Sequence, residues 1–504
     1  MTDQQRADQV GYSPYCKGTL TPNIDTIAEY ANFSCCQTTN PLCTPARTSL
    51  ITGRYSRQIG TLTMAGDLFP QIPTFMQALQ KAGYLTYGIG KFHYLQTYPW
   101  STPRGCGMDA VAGASEQKRF GYDYIWETAG KQQLIGNYCF YGEYLNQKHL
   151  LSAVRDFYQE CGGINGDTAD HNYDKALPWP FDEEDYIDVV TGRMAVKYLT
   201  DYPAEKPFYM LVSFCGPHKP YDAPQRYLDM FPLERTDDFL LPDGQTLTEA
   251  EKEALYRQRR SANAMLRLID DQIGMILDLL RKRGLLEDTL ILFTSDHGDM
   301  LGDHYMIQKG VPWRQAVNIP LAVKLPGAAR MGAVSCPVEL SDIAPTILEY
   351  AGLDFRETLS RAWPAYNDRL PCRSFLPVLQ GKLARHREFC YCEGDYSEER
   401  HEDTDIREVL RKRGGNGHRS NAWQSIITEK DKYICYLDYE AGEVPYEEYY
   451  DLISDPLETR NRIQDPSCQI DIQLARRRRM YIVDHYPAAQ MTWSTSCAAS
   501  RNII

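Results

Sequence analysis

The segment CTPAR, which begins at Cys43, holds the residue best suited to nucleophilic chemistry. Thr44 and Pro45 are residue types preferred at an N-cap and at a first helical position, and Gly53 is a typical helix end. Cys43 is therefore expected just ahead of a helix N-terminus, where free N–H groups and the helix dipole acidify a thiol. Arg47, one turn into the helix, would point back towards it. The alternative interpretation is a buried cysteine that merely starts a helix.

Polar side chains also follow three predicted buried strands, at the point where each strand ends. These strands are predicted at 85–89, 208–214 and 290–294 from their short apolar runs. In an open α/β sheet, ligands bind beyond the carboxyl ends of the strands, so such side chains would meet at one rim. With the start of the chain included, the set comprises Asp3, Gln4, Lys91, His93, His218, Asp296 and His297. One such residue is usually a solvated loop residue, but their recurrence indicates a binding rim.

The elements that must position this rim alternate between apolar runs and amphipathic helices. This alternation is the pattern of an α/β fold with a mainly parallel sheet. A helix is predicted from Pro22 to about residue 31, and apolar residues recur at helical spacing over 266–280, with Gly284 ending that helix. A further strand is predicted at 321–325.

The alternation of strands and helices is interrupted at two places in the sequence. Residues 94–185, rich in Tyr, Gly and Trp, are predicted to form a long insertion over one edge of the sheet. The domains are predicted as 1–380, an α/β domain containing this insertion, and 381–504, a small α+β domain. A parallel strand is also expected ahead of Asp3, where the sequence has two residues.

The composition argues against several classes of protein. The 504 residues are 43% hydrophobic and 24% charged, which is ordinary for a globular chain of more than one domain. A net charge of −13 argues against nucleic acid as a partner. No apolar run approaches the roughly 18 residues of a membrane-spanning helix, and no secretory signal follows Met1. The fifteen cysteines are scattered and odd in number, which favours reduced thiols and a cytoplasmic location.

Several segments together resemble one known family. CTPAR, followed by TSLITGRY, resembles the C-x-P-x-R motif of the type I sulfatases in the alkaline phosphatase-like superfamily. TPNIDTIA, GKFH, GPHKPY, SDHGDMLGDH and YYDLISDPLETRN resemble further segments of that family in the expected order, from residue 3 to about 462. The resemblance implies an α/β fold whose large, mainly parallel sheet is sandwiched by helices, with a small C-terminal α+β domain.

The resemblance also implies a metal site. Asp3, Gln4, Asp296 and His297 would bind one divalent cation, usually Ca²⁺. Gln4 stands where many members have a second Asp, and His297 where many have Asn. Because a site with fewer carboxylates and an imidazole is less typical of calcium, Mn²⁺ is the second choice.

A modified nucleophile is implied as well. A maturation enzyme, which is thereby an expected partner, would oxidise Cys43 to formylglycine. Arg47 and the cation would hold the hydrated aldehyde, while Lys91 and His93 would orient it. One hydroxyl of residue 43 would attack sulfur, and the second would later expel sulfate.

The resemblance implies that His218 and Lys309 contact the sulfate ester and that one of them protonates the leaving oxygen. The expected substrate is a small-molecule or oligosaccharide sulfate ester, with a sulfated sugar as first choice. No nucleic-acid or membrane partner is expected, and a homo-oligomer is left open.

Three hypotheses of function follow. The first is a sulfuric ester hydrolase that acts through formylglycine at position 43. The second is a phosphonate monoester or phosphodiester hydrolase of the same superfamily, because Gln4 and His297 also resemble the pattern of those enzymes. The third is a non-catalytic binding protein on the same fold, because so few residues precede Asp3.

Overall fold

The computed structural model describes residues 1–489 apart from 17, 65, 96–107, 163–174, 234–237, 242–245, 361–368, 395–421 and 438–445. Its strands in chain order are β1 (Ala31–Phe33), β2 (Cys36–Gln37), β3 (Leu85–Gly90), β4 (Tyr124–Glu127), β5 (Phe208–Ser213), β6 (Ile291–Thr294), β7 (Leu321–Lys324), β8 (Gly332–Val334), β9 (Val338–Glu339), β10 (Cys390–Gly394), β11 (Ala422–Ile427), β12 (Asp431–Leu437) and β13 (Tyr446–Asp451). Its α-helices are Pro22–Ala28, Cys43–Thr52, Ser56–Ile59, Phe75–Lys81, Ala114–Lys118, Phe140–Gln147, Leu151–Glu160, Ile187–Asp201, Gln225–Leu228, Glu249–Lys282, Arg314–Val317, Ile343–Tyr350, Phe355–Leu359, Leu376–Leu379 and Gln469–His485.

The main sheet has two halves, which the first three residues of the chain join. One half has the order β4-β3-β5 with its strands parallel, and the other has the order β6-β7-β1-β8. Between them, the Thr2 N–H donates to the Thr294 carbonyl at 3.0 Å, and the Asp3 N–H donates to the Gly216 carbonyl at 3.1 Å. The expected mainly parallel sheet is confirmed, although β7 runs antiparallel to both of its neighbours.

At the start of the chain, Thr2 and Asp3 form isolated parallel bridges with Ser295 and Pro217. On the far side of Met1, β5 and β6 face each other across an apolar cleft of about 570 Å³. The Met1 ammonium lies at the top of this cleft and donates to the Val212 carbonyl at 2.9 Å. The sheet is therefore continuous across its two halves at the carboxyl end, where the polar residues converge.

Two apolar cores cover the two faces of the main sheet. Successive residues of a strand point to opposite faces. In β7, Leu321 and Val323 pack in one core, whereas Ala322 packs in the other. The helix Glu249–Lys282 contributes Leu268 and Ile269 to the second of these cores. The sheet is thus sandwiched by helices, as expected.

Helix lengths differ from the sequence-based expectation. The long helix begins at Glu249, well before the predicted 266–280, because Thr248 and Glu251 form a capping box there. It gives way to Gly284, the predicted helix end, whose φ of 68° is a left-handed conformation that glycine adopts readily. The helix that starts at Pro22 ends at Ala28, three residues early, because β1 begins at Ala31. Among the described residues, no helix is long and apolar enough to cross a membrane.

The segment 94–185 does more than cover an edge of the sheet. Its residues Tyr124–Glu127 form β4, which pairs in parallel with β3 and supplies the outer strand of that half. The helices Phe140–Gln147 and Leu151–Glu160 pack in the core through Tyr141 and Val154. These residues therefore add an outer strand and helices at the edge of the sheet where an insertion is predicted, while 96–107 and 163–174 lie outside the described part.

After residue 380 the chain forms a second, antiparallel sheet. Its order is β10-β11-β12-β13, with neighbouring strands consecutive along the chain. Ile472 and Ile482 of the last helix pack against one face, beside Tyr433. Trp423 and Ile434 of the other face pack against the α/β part of the chain. No disulfide joins the cysteines of the described residues.

Candidate active site

The helix that carries Cys43 starts two residues earlier than its threonine and proline suggest. Leu42 is extended (φ −129°, ψ 145°), and its carbonyl accepts the Ala46 N–H at 2.9 Å, so Cys43 is the first helical residue. Pro45 is tolerated in this first turn because its missing N–H would have no partner inside the helix. Gly53 ends the helix with φ 67°, as predicted.

The Cys43 sulfur is fully buried and has several basic side chains beside it. It lies 3.1 Å from His297 Nε2 and 3.9 Å from Lys91 Nζ. Burial alone would raise the pKa of this thiol, but Lys309, Lys91 and His297 outweigh burial and hold the pKa well below its ordinary value. A thiolate or another anion at position 43 is therefore stabilised by side chains as well as by its place at a helix start.

Four ligand-type side chains meet at this sulfur. One ligand atom from each of Asp3, Cys43, Asp296 and His297 lies within 4.8 Å of the others, and all four residues are buried. Gln4 adjoins them, because its backbone N–H donates to Asp296 Oδ1 at 3.0 Å. Two carboxylates, an imidazole and a neighbouring amide form a donor set that fits a divalent cation.

Arg47 ties the carboxylates of this group to the strand ends. Its Nε donates to Asp296 Oδ2 at 2.8 Å, and its Nη2 donates to Asp3 Oδ2 at 3.2 Å. Its Nη1 donates to Ser213 Oγ at 2.9 Å and to the Lys91 carbonyl at 2.5 Å. The guanidinium therefore faces these acids rather than standing directly against the Cys43 sulfur.

Lys91 and His93 follow β3 and reach the same place. Lys91 Nζ lies 2.6 Å from Asp3 Oδ2. Burial alone would lower the pKa of Lys91, but the Asp3 carboxylate raises it, so the ammonium is retained. Burial lowers the pKa of His93, which favours its neutral form. Among the described residues, no atom hydrogen-bonds the buried His93 Nδ1, so this nitrogen is available to a ligand.

His218 and Lys309 form a directed pair at the mouth of the site. Lys309 Nζ lies 2.6 Å from His218 Nε2, and His218 Nδ1 lies 2.8 Å from the Lys219 carbonyl. Because a carbonyl only accepts, Nδ1 carries the imidazole proton and Nε2 accepts from the ammonium. Burial and Lys309 lower the pKa of His218 to about 4. Lys309 is therefore the proton donor of this pair.

All of these predicted site residues thus lie close together. A comparison with known families shows to which family the chain belongs. A family model described as Sulfatase matches residues 1–353. The chain belongs to the sulfatase family. Arylsulfatase of Clostridium perfringens (strain 13 / Type A) is 27% identical over 501 residues, which cover 95% of this chain and 92% of that protein. Sulfatases are sulfuric ester hydrolases, which leaves the non-catalytic hypothesis without support.

Two solved structures show the same fold. The phosphonate monoester hydrolase SpPMH from Silicibacter pomeroyi has a TM-score of 0.74 at 20% identity, and the match covers 98% of this chain and 96% of that one. A protein solved in complex with its substrate D-glucosamine-2-N,6-O-disulfate has a TM-score of 0.66 at 20% identity, with coverage of 96% and 97%. The sulfatase fold therefore extends over nearly the whole chain.

Sequence reasoning assigned no role to Asp299 and Tyr221, which this sulfatase site contains. Asp299 accepts from Gln4 Nε2 at 2.6 Å and from the Tyr221 hydroxyl at 2.7 Å. Both residues lie inside recognised segments, SDHGDMLGDH and GPHKPY, so their positions were visible although their contacts were not. Lys131, from the segment 94–185, donates to the Pro220 carbonyl at 3.1 Å and so supports the loop of His218.

Proposed function

We propose that this protein releases sulfate from a sulfated sugar by means of a formylglycine made from Cys43. The observation that carries the proposal is the buried Cys43 sulfur at a helix start, surrounded by Asp3, Asp296 and His297 within 4.8 Å. A modified residue at this point would stand among cations that stabilise an anionic reaction centre. A maturation enzyme that oxidises Cys43 is then a required partner.

The metal site of the proposal consists of Asp3, Gln4, Asp296 and His297. We propose Ca²⁺ as the cation and Mn²⁺ as the second choice, because the set mixes hard oxygen donors with an imidazole. When bound, the cation would supply positive charge that polarises a sulfate oxygen. Arg47 and Lys91 add positive charge from the chain itself, because they lie against the same carboxylates.

The remaining residues have two roles, which are to orient residue 43 and to protonate the leaving oxygen of the ester. Lys91 and His93 flank residue 43, where an ammonium and an imidazole whose Nδ1 has no partner among the described residues can orient its oxygens. Lys309 protonates the leaving oxygen, since the neutral His218 accepts from it and holds its ammonium in place. The sugar is proposed because one protein of the same fold was solved with a sulfated glucosamine as its substrate.

The modification is tested by mass spectrometry of the peptide that contains residue 43, after co-expression with a formylglycine-generating enzyme. The proposal expects an aldehyde in place of the thiol, and sulfate release from sulfated mono- and disaccharides that appears with the aldehyde. Full sulfate release by a preparation in which Cys43 is entirely a thiol would contradict the proposed nucleophile.

A second candidate is a phosphonate monoester or phosphodiester hydrolase with the same nucleophile. Gln4 and His297, the two departures in the metal set, favour it, and SpPMH has the same fold. Turnover of an aryl sulfate, an aryl phosphonate and a phosphodiester on one matured preparation separates the two candidates. A clear preference for the sulfate removes the second, and a clear preference for the phosphonate or diester removes the first.

A further inference from the structure

The side-chain amide of Gln4 is hydrogen-bonded at both ends. The partner of its nitrogen can only accept, and the partner of its oxygen can only donate. Its Nε2 donates to Asp299 Oδ2 at 2.6 Å, and its Oε1 accepts from Lys309 Nζ at 2.5 Å. An ionised carboxylate only accepts hydrogen bonds, and an ammonium only donates them. The amide therefore has one favourable orientation, with its nitrogen towards Asp299 and its oxygen towards the site.

Asp299 is itself fixed from two directions. The Tyr221 hydroxyl, on the loop of His218, donates to Asp299 Oδ2 at 2.7 Å, and the Leu301 N–H donates to Oδ1 at 3.2 Å. Asp299 is 2% exposed, so it has little access to solvent that could replace these donors. The carboxylate is thus a rigid acceptor beside the amide nitrogen of Gln4.

The backbone of Gln4 shows that its position is enforced by its surroundings. Its φ of 66° is a left-handed conformation, which is strained for a residue other than glycine and persists only where the surrounding structure holds it. The hydrogen bond from the Gln4 N–H to Asp296 Oδ1, at 3.0 Å, holds that conformation. Gln4 is 1% exposed, so both its backbone and its side chain have one arrangement within the fold.

We propose that Asp299, supported by Tyr221, is a positioning residue that turns the Gln4 amide oxygen towards the cation and requires a neutral amide at position 4. A carboxylate at position 4 would face the Asp299 carboxylate at hydrogen-bond distance, and the like charges would repel each other. Asp299 thereby sets the number of carboxylates around the cation at two, Asp3 and Asp296. The inference rests on the metal site of the proposed function and is independent of whether the substrate is a sulfate.

The test is calorimetric titration of the metal-free full-length protein with Ca²⁺ alone and with Mn²⁺ alone. In Asp299→Asn, the new amide can donate to the Gln4 oxygen and turn it away from the cation. In Gln4→Glu, two carboxylates face each other. Each single variant is expected to bind the cation about 10–100-fold more weakly, the usual effect of disturbing a residue behind a metal ligand.

The double variant Gln4→Glu/Asp299→Asn gives the decisive result. The amide introduced at position 299 can donate to the carboxylate introduced at position 4. Metal affinity should therefore return to within about threefold of the wild type, which is strong non-additivity between residues in contact. A merely structural role of Asp299 would give no such rescue. Single variants that bind like the wild type, or a double variant as weak as the two losses combined, would overturn the inference.

Asp303→Asn is the matched control, because Asp303 is an equally buried acid on the same loop. It pairs with Arg6 at 2.9 Å and with Arg259 at 2.9 Å rather than with Gln4. This variant is expected to lower the melting temperature and to leave the cation affinity unchanged. Because the readout is metal binding without substrate or formylglycine, a failed sulfatase assay and a failed positioning role remain distinguishable.

Discussion

Two clusters of buried charge in this chain are organised on opposite principles. The site cluster lies at the carboxyl end of the main sheet and consists of Asp3, Cys43, Arg47, Lys91, Asp296, His297 and Lys309. The junction cluster lies between the α/β part and the C-terminal sheet and consists of Tyr55, Glu339, Asp342, His386 and Arg387. Their side chains are comparably buried, so burial of charge does not distinguish a reactive site from a structural one.

The difference lies in how the charges are paired. In the junction cluster, Arg387 faces Asp342 with two parallel hydrogen bonds, one of them 2.7 Å from Nε to Oδ2, and its Nη2 lies 3.3 Å from Glu339. Tyr55 completes the arrangement by donating to Glu339 at 3.1 Å. In the site cluster, Arg47 and Lys91 also pair with carboxylates, but several basic side chains converge in addition on the single sulfur of Cys43. Convergence of like charges indicates a place for an anion, whereas matched pairs indicate structural support.

The largest expected effect separates two equally buried cysteines, one beside each cluster. Cys43→Ala should reduce sulfate release by about 10⁴-fold or more, because it removes the proposed nucleophile. Cys390→Ala should leave turnover per folded molecule unchanged, because burial holds the pKa of the Cys390 thiol well above its ordinary value and it is inert. Steady-state kinetics with circular dichroism as the folding control measure this, and substantial activity in Cys43→Ala would erase the distinction.

The second prediction concerns the removal of Arg387 from the ion pairs of the junction cluster. Arg387→Met should lower the free energy of unfolding by about 3–5 kcal/mol, because the buried acids Asp342 and Glu339 both lose the guanidinium that they contact. Arg385→Met is the matched control, since Arg385 is 68% exposed in its pair with Glu429 and should change stability far less, because solvent screens a surface pair. Urea denaturation measures both. Equal effects of the two variants would mean that the junction cluster contributes no more than a surface pair.

The site cluster could be predicted from the sequence, whereas the junction cluster could not. Lys91, His218 and Asp296 each follow a strand within a few residues, and parallel strands bring their carboxyl ends together. Asp342 and Arg387 lie 45 residues apart, and neither belongs to a local pattern. Their pairing depends on how the C-terminal sheet docks, which no short-range rule predicts.

Local sequence rules also failed at other points of the fold. Thr44 and Pro45 suggest a later helix start, but the extended Leu42 places Cys43 in the first turn. The strand Tyr124–Glu127 was missed because four residues in a tyrosine-rich segment have too little pattern, and pairing with β3 decides their conformation. The hydrogen bonds of Asp299 were invisible for the same reason, since Gln4 is distant in sequence.

The third prediction concerns the pH dependence of the junction cluster. Burial raises the pKa of Glu339 from 4.5 to about 7. Between these values the folded protein binds more protons at Glu339 than the unfolded chain does, so stability should fall as the pH rises from about 4.5 to 7. The corresponding loss is about 3 kcal/mol, and it should be complete about one pH unit above the folded-state pKa.

Glu339→Gln isolates this contribution from other groups that titrate in the same range. The difference in unfolding free energy between the wild type and Glu339→Gln should change with pH between about 4.5 and 7 and be constant from about one pH unit above the folded-state pKa. Asp342 adds little to this window, because Arg387 and His386 keep its pKa well below its ordinary value despite its burial. A difference that is independent of pH would show that folding does not raise the pKa of Glu339.

The smallest expected effect is the stabilisation of the fold by a cation bound at the site cluster. With a divalent cation at about 100 times its dissociation constant, binding should stabilise the fold by about 2.7 kcal/mol, so EDTA should lower the melting temperature by a few degrees. Arg387→Met should show the same shift from its own lower starting point, because the junction cluster pairs its charges internally. His297→Ala should show almost none, since it removes one of the four converging ligand atoms. If His297→Ala responded to EDTA as the wild type does, the stabilising cation would bind elsewhere. The basic side chains around Cys43 would then stabilise an anion without a metal ion.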